Sequence, residues 1–147
     1  MPNDATHRII NYLALSIFLI INFYIGTEKD FKIIAIFMGS YVLGTEIFSP
    51  DLDTDSKPGQ RLGILSYPIR KLSKHRGLGH NIFIGWLLKA LYILFIFMVI
   101  GIIILTIGYD IHMIIDYINI KIIGAFLIGL FLSNGMHIII DEIDKYV

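Results

Sequence analysis

Cysteine is absent from the 147-residue chain, and this absence excludes disulfide bonds, thiolate metal ligands and cysteine nucleophiles. Any bound metal must therefore be held by nitrogen and oxygen. Charge is also scarce, since 16% of the residues are charged and the 12 basic residues are balanced by 12 acidic ones. A chain without net charge lacks the broad basic surface typical of nucleic-acid-binding proteins, so no nucleic acid is expected among its partners.

Hydrophobic residues make up 56% of the chain, and its mean hydropathy is +0.74. A water-soluble core cannot bury this much apolar surface, so a lipid bilayer is expected to be the main solvent. Crossing ~30 Å of hydrocarbon takes ~20 apolar residues. Four runs come close to this length, at about residues 9–25, 31–48, 82–107 and 120–140. The sequence therefore predicts a single all-α domain over residues 1–147, an integral membrane bundle of about four transmembrane helices.

The connections between these runs predict how the bundle is oriented. One long polar stretch, residues 49–81, separates the second run from the third, and the other two connections are shorter. Four crossings place this stretch and both termini on one membrane face, which also carries most of the basic residues. The positive-inside rule makes that face cytoplasmic in a cell-membrane protein. The first run is expected to remain as a helix, because no A-x-A-like signal cleavage site follows it.

Three aspartates open the long stretch at alternate positions, Asp51, Asp53 and Asp55. Each pair of such carboxylates repels by roughly 3 kcal/mol at about 5 Å and an effective dielectric near 20. A metal ion, nearby Arg and Lys residues, or raised pKa values can relieve that repulsion. An EF-hand calcium loop fits poorly, because Ser56 and Leu62 stand where its glycine and its bidentate glutamate belong.

Histidines gather on the same predicted face. His137 and Asp141 are four residues apart on the fourth predicted helix, so both project from one side of it. His75 and His80 flank two glycines, which favours a tight loop, and His7 precedes the first run. Imidazole and carboxylate together typically bind zinc, manganese or iron, and zinc is the preferred expectation here. Each element also has an ordinary interpretation, as a surface histidine, a solvated turn or a hydrogen-bonded bundle residue.

Four short patterns occur along the chain in a fixed order: Thr6-His7, Pro50-Asp51-Leu52-Asp53, His75-Arg76-Gly77-Leu78-Gly79-His80, and His137 with Asp141. Together they resemble a family of uncharacterised membrane proteins thought to bind metal. The order is also similar to that of membrane-bound metal-dependent hydrolases and, more loosely, of helical multi-zinc phosphodiesterases. Gly79 and Asn81 depart from the hydrolase pattern, which often has hydroxyl side chains there.

The resemblance implies phosphoester hydrolysis at a site of two or three metal ions beside the cytoplasmic membrane surface. The expected ligands are His7, Asp51, Asp53, His75, His80, His137 and Asp141. Metal lowers the pKa of a bound water toward ~7, and this water is the expected nucleophile. Arg76, helped by Lys74, is expected to neutralise phosphoryl oxygens, whereas Asp55 and Glu142 are spare carboxylates for orientation or proton transfer.

Membrane lipid is the expected partner, and a lipid-linked phosphate is one expected substrate. Between Arg61 and Lys74, apolar residues recur near helical spacing among basic ones, which indicates an interfacial segment that attracts anionic headgroups. The apolar set is Leu62, Leu65, Ile69 and Leu72.

Two further readings remain open from the sequence. In one, the protein is a non-catalytic membrane module in which metal fastens the long stretch to the helix ends and the basic loop docks a partner. In the other it is an ion transporter, which needs polar groups at mid-membrane depth, where they are sparse. Glu46 is expected to bind the metal or to pair with Lys89. Lys89 itself either snorkels to the headgroups or faces the metal cluster.

Overall fold

A computed structural model describes residues 4–26, 30–53, 57–72, 81–108 and 119–146, and every regular element within them is a helix. This confirms the all-helical class. The α-helices are α1 (Asp4–Ile25), α2 (Phe31–Glu46), α3 (Lys57–Leu62), α4 (Tyr67–Leu72), α5 (Ile84–Thr106) and α6 (Ile120–Asp144). Two 3₁₀-helices, Pro50–Asp53 and Gly63–Ser66, lie between α2 and α4.

Three of these helices, α1, α5 and α6, are long and apolar enough to cross a membrane. The 16 residues of α2 extend for about 24 Å, less than the ~30 Å of hydrocarbon, so a fourth span remains a prediction. The ends of α1 and α6 differ from the predicted boundaries. α1 begins at Asp4 instead of near residue 9, and α6 continues to Asp144 instead of ending near residue 140. Both helices therefore extend past their apolar stretches and carry polar residues there.

Side-chain caps explain where several helices begin. Asp30 accepts a hydrogen bond from the Lys32 amide at the start of α2, and Asn119 accepts one from the Ile122 amide at the start of α6. Asn81 Oδ1 accepts hydrogen bonds from the amides of Phe83 and Ile84, at 3.1 and 2.9 Å. These acceptors satisfy amide groups that have no partner within the helix itself.

The tightest helix pair is α2 with α6, and small residues make it possible. Gly129 faces Ser40 and the backbone of α2, whereas Gly44 faces Ser133. Thr45 Oγ1 and Ser133 Oγ lie 3.2 Å apart and share a hydrogen bond. Such contacts between small and hydroxyl residues join helices that lipid alone does not drive together. Because these polar groups are used in helix packing, they give little support to the ion-transporter reading.

The described part of the long polar stretch folds back onto α5. Ile69 is 1% exposed and packs with Leu52 and Ile93 in the hydrophobic core. Tyr92 donates a 2.6 Å hydrogen bond to the carbonyl of Leu65, whose own side chain is exposed. The predicted interfacial segment is therefore not one continuous helical face. Gly63, at φ +56° in the left-handed region, ends α3 and separates it from α4.

Candidate metal centre

Four polar side chains from three elements meet at one end of the bundle. His7 lies in the first turns of α1, Asp51 in the 3₁₀-helix Pro50–Asp53, and His137 and Asp141 near the end of α6. His7 Nε2 is 3.2 Å from Asp141 Oδ1, and His137 Nε2 is 3.1 Å from Asp51 Oδ2 and 3.6 Å from Asp141 Oδ2. This places ligand-type atoms from distant parts of the chain close to one another.

Two hydrogen bonds of Asn11, one within α1 and one to α2, hold His7 in place. Asn11 Nδ2 donates to the His7 carbonyl at 3.0 Å, and its Oδ1 accepts from the hydroxyl of Tyr41 at 3.2 Å. Tyr41 is fully buried in α2. The first turns of α1 are thereby fixed to the central helix, so that the imidazole of His7 is presented to α6.

The imidazole rings of His7 and His137 are stacked, with centroids 3.9 Å apart and planes 12° from parallel. If both rings were protonated, two unit charges at this separation would repel by about 4 kcal/mol at an effective dielectric of 20. The carboxylate of Asp141 faces both rings, one oxygen toward each. Metal binds to neutral imidazole, so an ion held by both rings and this carboxylate would avoid that repulsion.

The donor set fits a divalent metal. One ligand atom from each of His7, His137 and Asp141 lies within 4.8 Å of the other two. Ligands about 2.0–2.1 Å from a tetrahedral zinc ion lie roughly 3.3 Å from each other, close to the separations found here. Within the described part of the chain, His137 Nε2 is buried and makes no hydrogen bond of acceptable geometry, although the Asp51 carboxylate lies beside it. An ion between these groups would satisfy that nitrogen.

Most of the other predicted site residues have no described side chain. Asp53 belongs to the 3₁₀-helix Pro50–Asp53, but only its backbone is described. Asp55, Lys74, His75, Arg76 and His80 lie outside the described residues, so their predicted roles stay predictions. Glu142, predicted as a spare carboxylate, is 56% exposed and accepts a 2.7 Å hydrogen bond from Lys145. That bond raises the pKa of Lys145.

Glu46 has partners other than the predicted metal or Lys89. Arg61 donates to its carboxylate at 2.6 Å and to its carbonyl at 2.9 Å, and Tyr12 donates to the carboxylate at 2.5 Å. Arg8 lies 3.6 Å from the same carboxylate. This cluster ties α1, α2 and α3 together beside the candidate centre. The sequence offered no signal for it, because the partners lie far apart along the chain.

Lys89 is 2% exposed and donates a 2.8 Å hydrogen bond to Asn134 Oδ1. It therefore does not snorkel to the headgroups, which was one of the two interpretations of this residue. Asn134 lies three residues before His137, so the two project from neighbouring positions on α6. Both Asn134 and Asn11 were overlooked as site residues, although each stands out as an amide within a largely apolar run.

We expect Glu46→Gln to leave the bound metal unchanged while loosening the bundle. The substitution removes the charge that Arg61 contacts, and hydrogen bonds to charged groups contribute about 1.5–3 kcal/mol when buried and less at this partly exposed site. Metal content by elemental analysis and thermal unfolding in detergent measure the two effects. A large loss of metal with unchanged unfolding would instead make Glu46 a ligand.

Comparison with known proteins agrees with a metal-binding role. Residues 2–147 match the model of a protein family described as uncharacterized metal-binding protein (DUF2227). An uncharacterized protein of Aquifex aeolicus (strain VF5) is 47% identical over 57 residues, which cover 36% of this chain and 40% of that protein. The matched region is thus less than half of that relative. No solved structure matches the chain at a significant level.

Proposed function

Because the chain belongs to this family of uncharacterised metal-binding proteins, we propose that it is a membrane-embedded protein whose divalent metal supports hydrolysis of a phosphoester. Its helices support the first part, since three of them have the length and composition of membrane spans. The His and Asp cluster supports the second part. The order of sequence patterns, similar to that of membrane-bound hydrolases, supports the choice of reaction.

The main support for hydrolysis is that the candidate centre is open on one side. The side chains of His7, His137 and Asp141 are 5%, 7% and 12% exposed, whereas that of Asp51 is 37% exposed. Metal sites that serve only structure are closed by protein ligands, and catalytic sites keep one position for water or substrate. Asp51 marks the side from which such a molecule reaches the centre.

The described residues have two proposed roles, metal binding and proton transfer. His7, His137 and Asp141 would hold the ion, and the bound ion supplies Lewis acidity that lowers the pKa of water and polarises a phosphoryl oxygen. Asp51, on the open side, is placed to accept a proton from the attacking water. Arg76 and Asp55 keep their proposed roles in charge neutralisation and orientation.

Zinc is the proposed metal, because it is commonly bound by imidazole and carboxylate in tetrahedral sites. Manganese and iron use the same ligand types. A second or third ion would need His75, His80 and Asp53 as additional ligands. We also propose that the centre faces the cytoplasm, on the basis of the excess of basic residues on that side.

We expect Asp51→Asn to separate binding from turnover. The amide keeps the size of the side chain but cannot accept a proton as a carboxylate does, so the rate should fall by about 100-fold or more while most of the metal remains. The measurements are metal content and hydrolysis of a chromogenic phosphodiester by purified protein. Glu142→Gln, a matched change on the exposed side of α6, should alter neither. Metal-loaded wild-type protein that hydrolyses no phosphoester would contradict the proposed reaction.

A non-catalytic role is the second candidate, and the burial of the two histidines favours it. Metal held by His7, His137, Asp51 and Asp141 would join α1, the 3₁₀-helix and α6, and would stabilise the bundle. In that case chelation lowers the unfolding temperature, wild-type protein shows no hydrolysis, and Asp51→Asn changes stability rather than rate.

A further inference from the structure

A long apolar groove runs between α5 and α6, with a cavity volume of about 680 Å³. We propose that it holds the hydrocarbon chain of a phosphoester lipid whose headgroup reaches the candidate metal centre. This substrate class rests on the proposed function. A volume of this size is typical of sites that enclose a small-molecule ligand.

Side-chain size in the groove favours a flexible chain over another helix. Helices that associate in membranes meet through small residues, as α2 and α6 do here at Gly44 and Gly129. In this groove only Ala90 and Gly101 are small, and the other lining residues are large and apolar. A second copy of the protein would meet bulky side chains there, whereas a lipid chain can follow the irregular surface between them.

One end of the groove lies close to the metal centre. Trp86 lines that end and packs edge-on against Phe131 of α6, with ring centroids 5.4 Å apart. Phe131 precedes His137 by six residues, which corresponds to about 9 Å along a helix. A phosphate bound at the metal centre would therefore lie about as far from the Trp86 end of the groove as the polar part of a lipid extends.

Polar groups occur at the depth where that polar backbone would lie. The indole Nε1 of Trp86 is buried and makes no hydrogen bond within the part of the chain that the structure describes, and a buried indole N–H usually has an acceptor. An ester carbonyl of a lipid would supply one. Lys89, one turn further along α5, donates a hydrogen bond from Nζ to Asn134 and adds a second polar group on this side of the groove.

The groove is long enough for an acyl chain. It extends along α5 from Trp86 to Ile104, about 27 Å at 1.5 Å per residue, which approaches the ~30 Å of the hydrocarbon core. A lipid could thus enter sideways from the bilayer, with its chain remaining in an apolar environment throughout.

The test is photolabelling with a phosphatidic acid that carries a diazirine in its acyl chain, added to the full-length protein in phosphatidylcholine nanodiscs. We expect labelled peptides from α5 and α6, and at least fivefold less labelling in Gly101→Phe, which fills the groove. Val99→Phe introduces the same ring on α5 at a position outside the groove lining and should label like wild type. Labelling elsewhere, or equal labelling in the two variants, would overturn the inference.

Hydrolysis assays separate this inference from the proposed function. Gly101→Phe should slow hydrolysis of the long-chain lipid and spare a short, water-soluble phosphodiester, with metal content unchanged. Equal slowing of both substrates would refute the groove as the chain site while leaving hydrolysis intact. Groove labelling without hydrolysis of either substrate would keep the lipid site and refute the reaction. A dimer that Gly101→Phe dissociates would assign the groove to a second copy instead.

Discussion

The His137→Ala variant is expected to lose its bound metal, with affinity lower by at least about 100-fold. In the wild-type protein, Nε2 of His137 lies 3.1 Å from Asp51 and 3.6 Å from Asp141. Alanine therefore removes the nitrogen that faces both carboxylates. Without the imidazole and the ion, the negative charges of Asp51 and Asp141 are less well balanced. A small shift of α6 cannot restore metal binding. Elemental analysis of purified protein and calorimetric titration with zinc measure the loss.

Glu142→Ala provides the control for this substitution. Glu142 lies on the same helix but is exposed and paired with Lys145, so it should bind metal like wild type. His7→Ala should behave like His137→Ala, because its Nε2 contacts the other oxygen of Asp141. Full metal content in both histidine variants would mean that the ion is held elsewhere in the chain.

Replacing Gly129 with alanine is expected to destabilise the bundle by about 3 kcal/mol or more, at the upper end of the usual penalty for overpacking. A Cβ at this position would collide with Ser40 Oγ and lie 2.5 Å from the carbonyl oxygen of Phe37. The carbonyl belongs to the backbone of α2, so the two helices would have to separate. Thermal unfolding in detergent should show a clearly lower midpoint.

Gly124→Ala is the matched control, since Gly124 lies on the same helix and a Cβ there meets nothing within 4 Å. Alanine favours a helix over glycine by up to about 1 kcal/mol, so this variant should be as stable as wild type or slightly more stable. Adding Ser40→Gly to Gly129→Ala should restore stability only in part, because the Phe37 carbonyl remains. Equal unfolding midpoints for Gly124→Ala and Gly129→Ala would show that close packing of α2 with α6 is not required.

Much of the fold could be predicted because it depends on local properties of the chain. Apolar run length located the long helices, and the separation of His137 from Asp141 placed both on one face of α6. Counting four predicted crossings placed His7, Asp51 and these two residues on one membrane face, but that topology stays a prediction. The helix boundaries were less predictable. For example, α1 starts at Asp4, and its first residues are not apolar.

Contacts between distant residues could not be predicted, because they depend on how helices rotate and approach one another. Nothing in the sequence indicates that Arg61 reaches Glu46, or that Lys89 is buried against Asn134. The stacking of the His7 and His137 rings depends on the same rotations. Small residues such as Gly129 permit these approaches, but they do not specify the partner helix.

The centre also has a consequence for how the protein is made. His7 is synthesised well before Asp141, yet their side chains are neighbours. A nascent chain that lacks α6 therefore cannot assemble the donor set, however well its earlier helices have formed. Capture of an ion by this donor set therefore has to wait until α6 has been synthesised and has packed beside α1.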